Sequence, residues 1–265
     1  MRWRLGTTGY YNRGWRGPFF PPGLPQSKWL SHYATRFDAI ELNTTFHAMP
    51  ARDRVRRWAE KVPDDFRFSL KAPRAVTHDC DLRDAAGPLA EFLDVASELG
   101  PKLGVVLLQF GPHHGVGERP ALDRLLAGLP THVRFAAEFR DASWLAPETY
   151  RLLRSRGVAL AASDLIELPE SAGIVPTTDF LYVRLLGKHG RFESDDRELF
   201  DPTPRLTWWR DRLVRACAKA NPASTWVLSN NDFAGHAPAT LRRFADLADV
   251  SLPGDETKSQ ADLFG

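Results

Sequence analysis

Hydrophobic and polar positions alternate in one pattern eight times along this chain: a short apolar run, then a stretch of helical periodicity. The apolar runs predict strands over residues 3–8, 38–42, 66–71, 105–110, 133–139, 158–163, 180–185 and 225–229. Helices are predicted over 27–36, 52–61, 88–99, 121–128, 147–156, 206–220 and 237–247. Gly100 suits the C-terminal cap of the third helix, and Pro147 the first turn of the fifth. The connection between the sixth and seventh strands is short, holds two prolines and has room for a single turn of helix. Strands alternating with helices build a parallel sheet with helices outside, and eight such units predict an α/β fold, a single (β/α)8 TIM-type barrel. The length of 265 residues fits that barrel. Residues 1–250 form the barrel in this reading, with a long first βα loop, and 251–265 a flexible tail.

The run VRFAAEFRDASW, residues 133–144, shows where chemistry enters. Side chains alternate across a strand, so Phe135, Ala137 and Phe139 share one face, and Ala136, Glu138 and Arg140 the other. A buried charge is costly unless it is paired and hydrogen-bonded. Glu138 and Arg140 therefore either close the strand as an ion pair or face a ligand. The other strand ends separate these readings. They carry Glu41 and Asn43, Ser69 and Lys71, Gln109, Asp164, Arg184, and Asn230 with Asn231. Singly, Asp164 fits a cap and Asn231 a turn. Together, polar groups at the same end of seven strands predict a ligand site at the C-terminal mouth, where this fold carries its active sites.

Composition narrows the partners. A formal charge of +2 and a pI near 8.6 permit an anionic partner without indicating one. The opening MRWRLGTTGYYNRGW lacks the apolar core of a secretory leader, and no run approaches the ~18 apolar residues of a membrane span. Cys80 and Cys217 form no CxxC pair, so neither a disulfide framework nor a zinc knuckle is suggested, and the expected compartment is the cytosol. The phosphate motifs GxGxxG and GxxxxGK[ST] do not occur. No cofactor is predicted. A divalent metal stays open through His78, Glu41, Glu138 and Asp164, although no HxH or HExxH spacing supports it.

The first loop, GYYNRGWRGPFFPPGLP, interleaves Tyr10, Tyr11, Trp15, Phe19 and Phe20 with Arg13 and Arg16. Most of these rings should pack over the barrel top, with Tyr10 and Trp15 nearest to a ligand. Trp208 and Trp209 lie on a predicted helix and read as packing residues.

Several segments in order carry a family resemblance: GTTGYYNRGWRGPFFPP, WLSHYATRFDAIELNTTFHAMP, FRFSLKAPRAVTH, LGVVLLQFGP, AAEFRDASW, DFLYVRLLG and SNNDFAGHA. Over nearly its whole length the chain resembles the YecE-like family, a domain of unknown function (number 72) with a TIM-barrel-like fold. The resemblance implies a polar pocket and brings no established reaction. By position it assigns that pocket to Glu41, Asn43, Lys71, His78, Gln109, Glu138, Arg140, Trp144, Asp164, Arg184, Asn230 and Asn231. The chain departs from the pattern at His47, where the family usually has Tyr, at Leu186, where a His commonly precedes Gly187, and at Ser229, which replaces Phe. If that missing His is a catalytic base in relatives, this chain uses another group or differs in activity.

Lys71, Arg140 and Arg184 supply positive charge, and arginine can hold phosphate or carboxylate through two parallel hydrogen bonds. Glu41 and Glu138 are the candidate general acid and base, since different surroundings drive two carboxyl pKa values apart. A salt bridge from Lys71 to either glutamate competes with direct substrate contact. Lys71 would also suit Schiff-base chemistry if desolvated. A common barrel glycosidase carries acids at strands four and seven, where this chain has Gln109 and Arg184. The expectation is an enzyme on an anionic, phosphate-containing substrate, most specifically a hydrolase processing nucleic acid. The alternatives are lyase, isomerase or hydrolase chemistry on a small phosphorylated or carboxylated metabolite, and a barrel that binds without catalysis. The tail segment QADLF tips the balance toward DNA. Gln260, Leu263 and Phe264 are similar to the short peptide by which bacterial replication and repair proteins engage the DNA sliding clamp.

Overall fold

Eight parallel strands, β1 (Arg2–Thr7), β2 (Ala39–Leu42), β3 (Arg67–Lys71), β4 (Leu103–Phe110), β5 (Phe135–Phe139), β6 (Val158–Ser163), β7 (Phe180–Leu185) and β8 (Ser224–Ser229), line up in sequence order from β2 to β8, with β1 beside β8. The computed structural model describes residues 1–79, 81–164 and 174–255. The seam between β1 and β2 brings the ends of this sheet together. Thr8 bridges Glu41 there. The Tyr33 hydroxyl accepts from the Thr7 amide (2.7 Å) and donates to the Ala39 carbonyl (3.0 Å), tying the two strands through one buried side chain. A Cβ at Gly6 would stand 2.0 Å from the Ala39 carbonyl oxygen, so the seam closes this tightly only because Gly6 has no side chain. The result is a nearly closed (β/α)8 TIM-type barrel.

Alternation along each strand sorts the core into two layers. Ala39, Leu107, Ala136, Phe180 and Trp226 fill the barrel interior. Phe68, Leu108, Phe135, Phe139 and Val227 face outward, beneath Tyr33, Phe92, Leu122, Leu153 and Phe244 of the helical shell. That shell comprises α1 (Trp29–Tyr33), α3 (Arg52–Glu60), α5 (Ala86–Ala96), α6 (Arg119–Ala127), α7 (Pro147–Arg156), α8 (Thr203–Ala220) and α9 (Ala237–Ala248). Two one-turn helices, α2 (Thr44–His47) and α4 (Arg74–Thr77), follow β2 and β3. Among the described residues no helix is long and apolar enough to cross a membrane.

The predicted strands and long helices are all present, with shifted ends. The first helix is shorter than predicted. A 3-10 turn, Gln26–Lys28, precedes α1, and beyond Tyr33 the bonds tighten to Thr35 N–His32 O and Arg36 N–Tyr33 O, turning the chain into β2. α5 passes into a 3-10 segment, Ser97–Lys102, in which Gly100 takes a left-handed φ of 53°. The single turn expected between β6 and β7 falls largely on residues 165–173, outside the described residues. The predicted tail is tied down at its start: Leu252 is buried and Asp255 pairs with Arg242 (2.6 Å). Gln260, Leu263 and Phe264 lie outside the described residues.

Candidate functional site

Interior-facing positions above the apolar core are polar at the C-terminal ends of β2, β3, β4, β5 and β7, and one guanidinium joins them. Arg184 donates from Nε to Glu41 Oε2 (2.9 Å), from Nη2 to Glu41 Oε1 (2.6 Å) and from Nη1 to Glu138 Oε2 (2.6 Å). The side chains of Arg184, Glu41 and Glu138 are only 3%, 0% and 1% exposed. The bidentate fork to Glu41 is the strong geometry for such a pair. Tyr182 donates to Glu41 Oε2 (2.8 Å), and its hydroxyl meets Ser69 Oγ at 2.6 Å. At the outer edge Arg140 Nη2 approaches Glu138 Oε1 at 2.6 Å, off the line of a hydrogen bond.

This network fixes its own protonation. Burial alone would raise the Glu138 carboxyl, but Arg184 and Arg140 outweigh it and hold the group below the ordinary carboxylate range. Burial would likewise lower Arg184, and Glu138 and Glu41 more than reverse that. Tyr182 is driven well up, by burial first and by Glu41 second. The formal charges of Glu41, Glu138, Arg184 and Arg140 cancel, so the cluster stands as a preorganised floor for the mouth.

Lys71 sits beside this floor as an extra charge. Its Nζ donates to Gln109 Oε1 (2.7 Å) and lies 3.7 Å above the centre of the Phe46 ring. Desolvation and the Arg184 charge bring its pKa down to about 8, against the pull of Glu138 and Glu41. The amine is therefore partly neutral near physiological pH and half-buried at the mouth. His78, edge-on to Phe46 at 4.8 Å, is pushed down to about 4 by desolvation and by Lys71 and His113. It is neutral above that pH and cannot add positive charge. Among the described residues no group of three His, Cys, Asp or Glu side chains converges as a metal-ligand set.

A cavity of about 800 Å³ opens on the other side of the mouth, where β1, β2 and β8 end. Tyr10, Trp15, Asn43, Asn231 and Trp58 line it, together with Arg54, Arg57 and Lys61 from α3 and the residue that follows it. Asn43 follows Leu42, which pairs in register with Leu70, so it stands at the strand end next to Lys71. Trp15 Nε1 donates to Asn231 Oδ1 (3.1 Å), which also accepts from the Ala237 amide (3.0 Å). Asn43 Oδ1 is buried and has no hydrogen-bond partner among the described residues.

The predicted residues thus divide into groups. Glu41, Glu138, Arg140, Arg184, Lys71 and Gln109 assemble around the buried floor, with His78 alongside, while Asn43 and Asn231 line the cavity. Asn230 also touches the cavity, but its amide is occupied: Oδ1 accepts from Gly187 and Phe233, and Nδ2 donates to Asp232. Two expected positions are corrected. Asp164 is one residue out of phase with the inward-facing Ala159 and Ala161, and it pairs with Arg205 of α8 (2.5 Å). Trp144 is fully buried, stacked on Phe139 at 4.6 Å and donating to the His114 carbonyl (2.6 Å), so it packs and does not reach the mouth.

Two expected roles change as well. Lys71 bonds Gln109 and forms no salt bridge within 4 Å to either glutamate among the described residues. Arg184 spends its donors on Glu41 and Glu138 and is closed to a phosphate. Sequence reasoning missed Tyr182, which strand parity places two residues before Arg184, and Phe46. It also missed Arg54, Arg57 and Lys61, whose helical spacing looks like an ordinary solvated face.

The chain is a TIM-type barrel with a cluster of buried charged side chains at the C-terminal ends of its strands. The chain belongs to the protein family of unknown function DUF72, whose model matches residues 4–261. It is 36% identical over 146 residues to the UPF0759 protein YecE of Escherichia coli K12, a match covering 51% of this chain and 54% of the relative, so it spans about half of that protein's length. Against the UPF0759 protein YunF of Bacillus subtilis it is 26% identical, over 98% of this chain and 99% of the relative. A crystal structure of a DUF72 family protein from Thermotoga maritima superposes with a TM-score of 0.76 at 25% identity, covering 94% of this chain and all of that one. A DUF72 family protein from Enterococcus faecalis, at 18% identity and a TM-score of 0.71 over 94% of this chain and 98% of that one, shares the fold.

Proposed function

We propose that this barrel is an enzyme acting on an anionic, phosphate-containing substrate at its C-terminal mouth, most specifically a hydrolase that processes nucleic acid. The observation that carries the reading is Lys71, an amine with a pKa of about 8 beside a neutral buried charge cluster. Glu41 and Glu138 are engaged by Arg184 through hydrogen bonds, so this reading gives the proton-transfer task to Lys71. Arg140 keeps a half-buried guanidinium at the rim, where its charge suits an anionic oxygen. In this mechanism the neutral Lys71 amine takes a proton from the water whose oxygen bonds to phosphorus. The ester P–O bond breaks, and the Lys71 ammonium returns the proton to the leaving alkoxide, while Arg140 offsets charge on the phosphoryl oxygens. Recruitment by the sliding clamp through Gln260, Leu263 and Phe264 belongs to the same reading.

The desolvated lysine also favours a second reading, a Schiff-base lyase acting on a phosphorylated carbonyl compound. One experiment decides. The purified protein is offered single- and double-stranded nucleic acids, mononucleotides and phosphorylated metabolites, with products read by mass spectrometry. Lys71→Met should lower kcat by about 100-fold or more, the usual worth of a positioned base, and Arg140→Met should raise KM. Borohydride trapping of a substrate adduct on Lys71 moves the protein to the lyase column. No turnover anywhere on the panel, or turnover unchanged in Lys71→Met, overturns the proposal.

A further inference from the structure

The cavity at the ends of β1, β2 and β8 has a lining of two kinds, and together they specify a ligand. One is cationic. Arg54 and Arg57 lie one turn apart on α3, and Lys61 one turn further on, all at the cavity edge. Arg54 and Arg57 form no ion pair among the described residues, although the same helix pairs Arg52 and Arg56 with Glu98 and Asp94. Lys61 is anchored through Nζ to the Ser27 carbonyl (3.1 Å). Two helix arginines left unpaired beside a concavity, where their neighbours are paired, are placed to meet negative charge from outside.

The other wall is aromatic with polar edges. Tyr10 and the largely exposed Tyr11 line the cavity, as do the buried Trp15 and Trp58, the latter one turn after Arg54 on α3 itself. Asn43 Oδ1 is an unsatisfied acceptor, and Asn231, its oxygen already engaged twice, keeps an amide donor with no partner among the described residues. Asp195, which lies against Gly14 of the first loop, adds a carboxylate to the lining. A phosphate therefore belongs with Arg54 and Arg57, and donor groups of a base or sugar with Asp195. A volume of about 800 Å³ accommodates such a ligand.

We infer that this cavity binds a nucleoside phosphate unit, with its phosphate on Arg54 and Arg57, its base against Tyr10 and Tyr11, and its polar edge on Asn43 and Asn231. The inference rests on the proposed anionic substrate and gives its class. A free mononucleotide and a nucleotide within a single strand offer the same chemistry. Asn43, which lines the cavity, ends the strand next to the one that Lys71 ends, while Lys71 itself is not among the lining residues.

The test titrates the full chain with a fluorescein-labelled ten-residue oligothymidylate, with thymidine 5′-monophosphate and with inorganic phosphate. Arg54→Gln combined with Arg57→Gln, both exposed and outside the core, should weaken oligonucleotide binding at least tenfold without a change in Tm. It should also reduce the slope of log affinity against log salt by about 1.4, the counterion release of two lost contacts on a single strand. Tyr11→Ala should cost about fivefold or more through lost stacking. Binding of the monophosphate with the same dependence on the arginine pair identifies a free nucleotide as sufficient, and binding of the oligomer alone identifies a strand. Affinity unchanged in the arginine pair, no binding of either nucleotide probe, or competition by inorganic phosphate as strong as by the monophosphate overturns the inference. Failure here is separable from failure of the proposed enzyme. Turnover that depends on Lys71 while the arginine pair is silent leaves the enzyme standing. Binding that depends on the arginines while nothing is turned over leaves only the binding site.

Discussion

Lys71 shows how a single residue acquires its chemistry from placement. Its alternation along β3 turns it inward, and the strand end leaves it half-buried over Phe46, where desolvation and Arg184 bring its pKa to about 8. In the proposed role of proton acceptor Lys71 would work in the neutral form, so kcat/KM should rise with pH through a limb near 8. A bound anion favours the protonated amine, so the limb in kcat should lie at higher pH than the limb in kcat/KM, and paired pH profiles check both. The same shift acts on stability. Below pH 8 folded and unfolded chains both carry the proton, and the cost of its burial is fully present. Between about 8 and the unfolded value near 10.5 the folded chain has shed a proton that the unfolded chain keeps, so stability rises with pH across that window. Comparing Tm of the protein and of Lys71→Met from pH 7 to 10 should show the wild type gaining on the variant, and a constant difference would refute the assigned shift. The sequence made these inward polar residues legible through strand parity. It could not show that Glu41 and Glu138 converge on Arg184, because that depends on three-dimensional neighbours 46 and 143 residues apart.

At the scale of elements, strand alternation and helix periodicity were read closely, and β6, β7 and α7 have the predicted bounds. What escaped were α2 and α4, since one turn of helix is too short to show a period. Yet these turns shape the mouth: the Thr45 hydroxyl in α2 lies 2.6 Å from the Lys71 carbonyl and 2.9 Å from that of Leu42, joining the ends of β2 and β3. Asp164 was misread because a polar residue at a strand end counts toward the interior only in phase with the inward side chains. The β1–β2 seam is the element-level feature most open to attack. A methyl at Gly6 would overlap the Ala39 carbonyl, a backbone atom that cannot rotate away. Gly6→Ala should therefore destabilise the fold by about 3 kcal/mol or more, at or beyond the top of the usual overpacking range. Tyr33→Phe should cost about 1–3 kcal/mol by leaving buried backbone groups at the seam unpaired. Urea unfolding reads both as a lower midpoint at unchanged slope, and a midpoint for Gly6→Ala equal to wild type would mean that the seam can open without loss.

On the scale of the whole molecule, the two halves of the mouth and the tail segment fit one task if the substrate is a nucleic acid. The cavity would hold a nucleotide unit, Lys71 would act at the neighbouring strand end, and the segment carrying Gln260, Leu263 and Phe264 would bring the protein to DNA. Asp255, paired with Arg242, fixes where that segment leaves the barrel. Phe264 follows nine positions later, a span of at most about 32 Å when fully extended. A reach of that length would let a clamp engage the segment while the barrel stays close to the DNA that the clamp encircles. Burying Leu263 and Phe264 in an apolar groove yields about 1.5–3 kcal/mol each before the cost of ordering the segment is subtracted. The expected affinity is therefore in the micromolar class, enough for recruitment and too weak for a permanent complex. Titrating a labelled SQADLFG peptide, and then the full chain, against a bacterial sliding clamp measures it. Saturable binding that disappears in Leu263→Ala combined with Phe264→Ala is the expected result. No binding at high micromolar clamp, or binding that the double substitution leaves unchanged, removes the clamp from the account and shifts the weight toward a small phosphorylated metabolite at the same mouth.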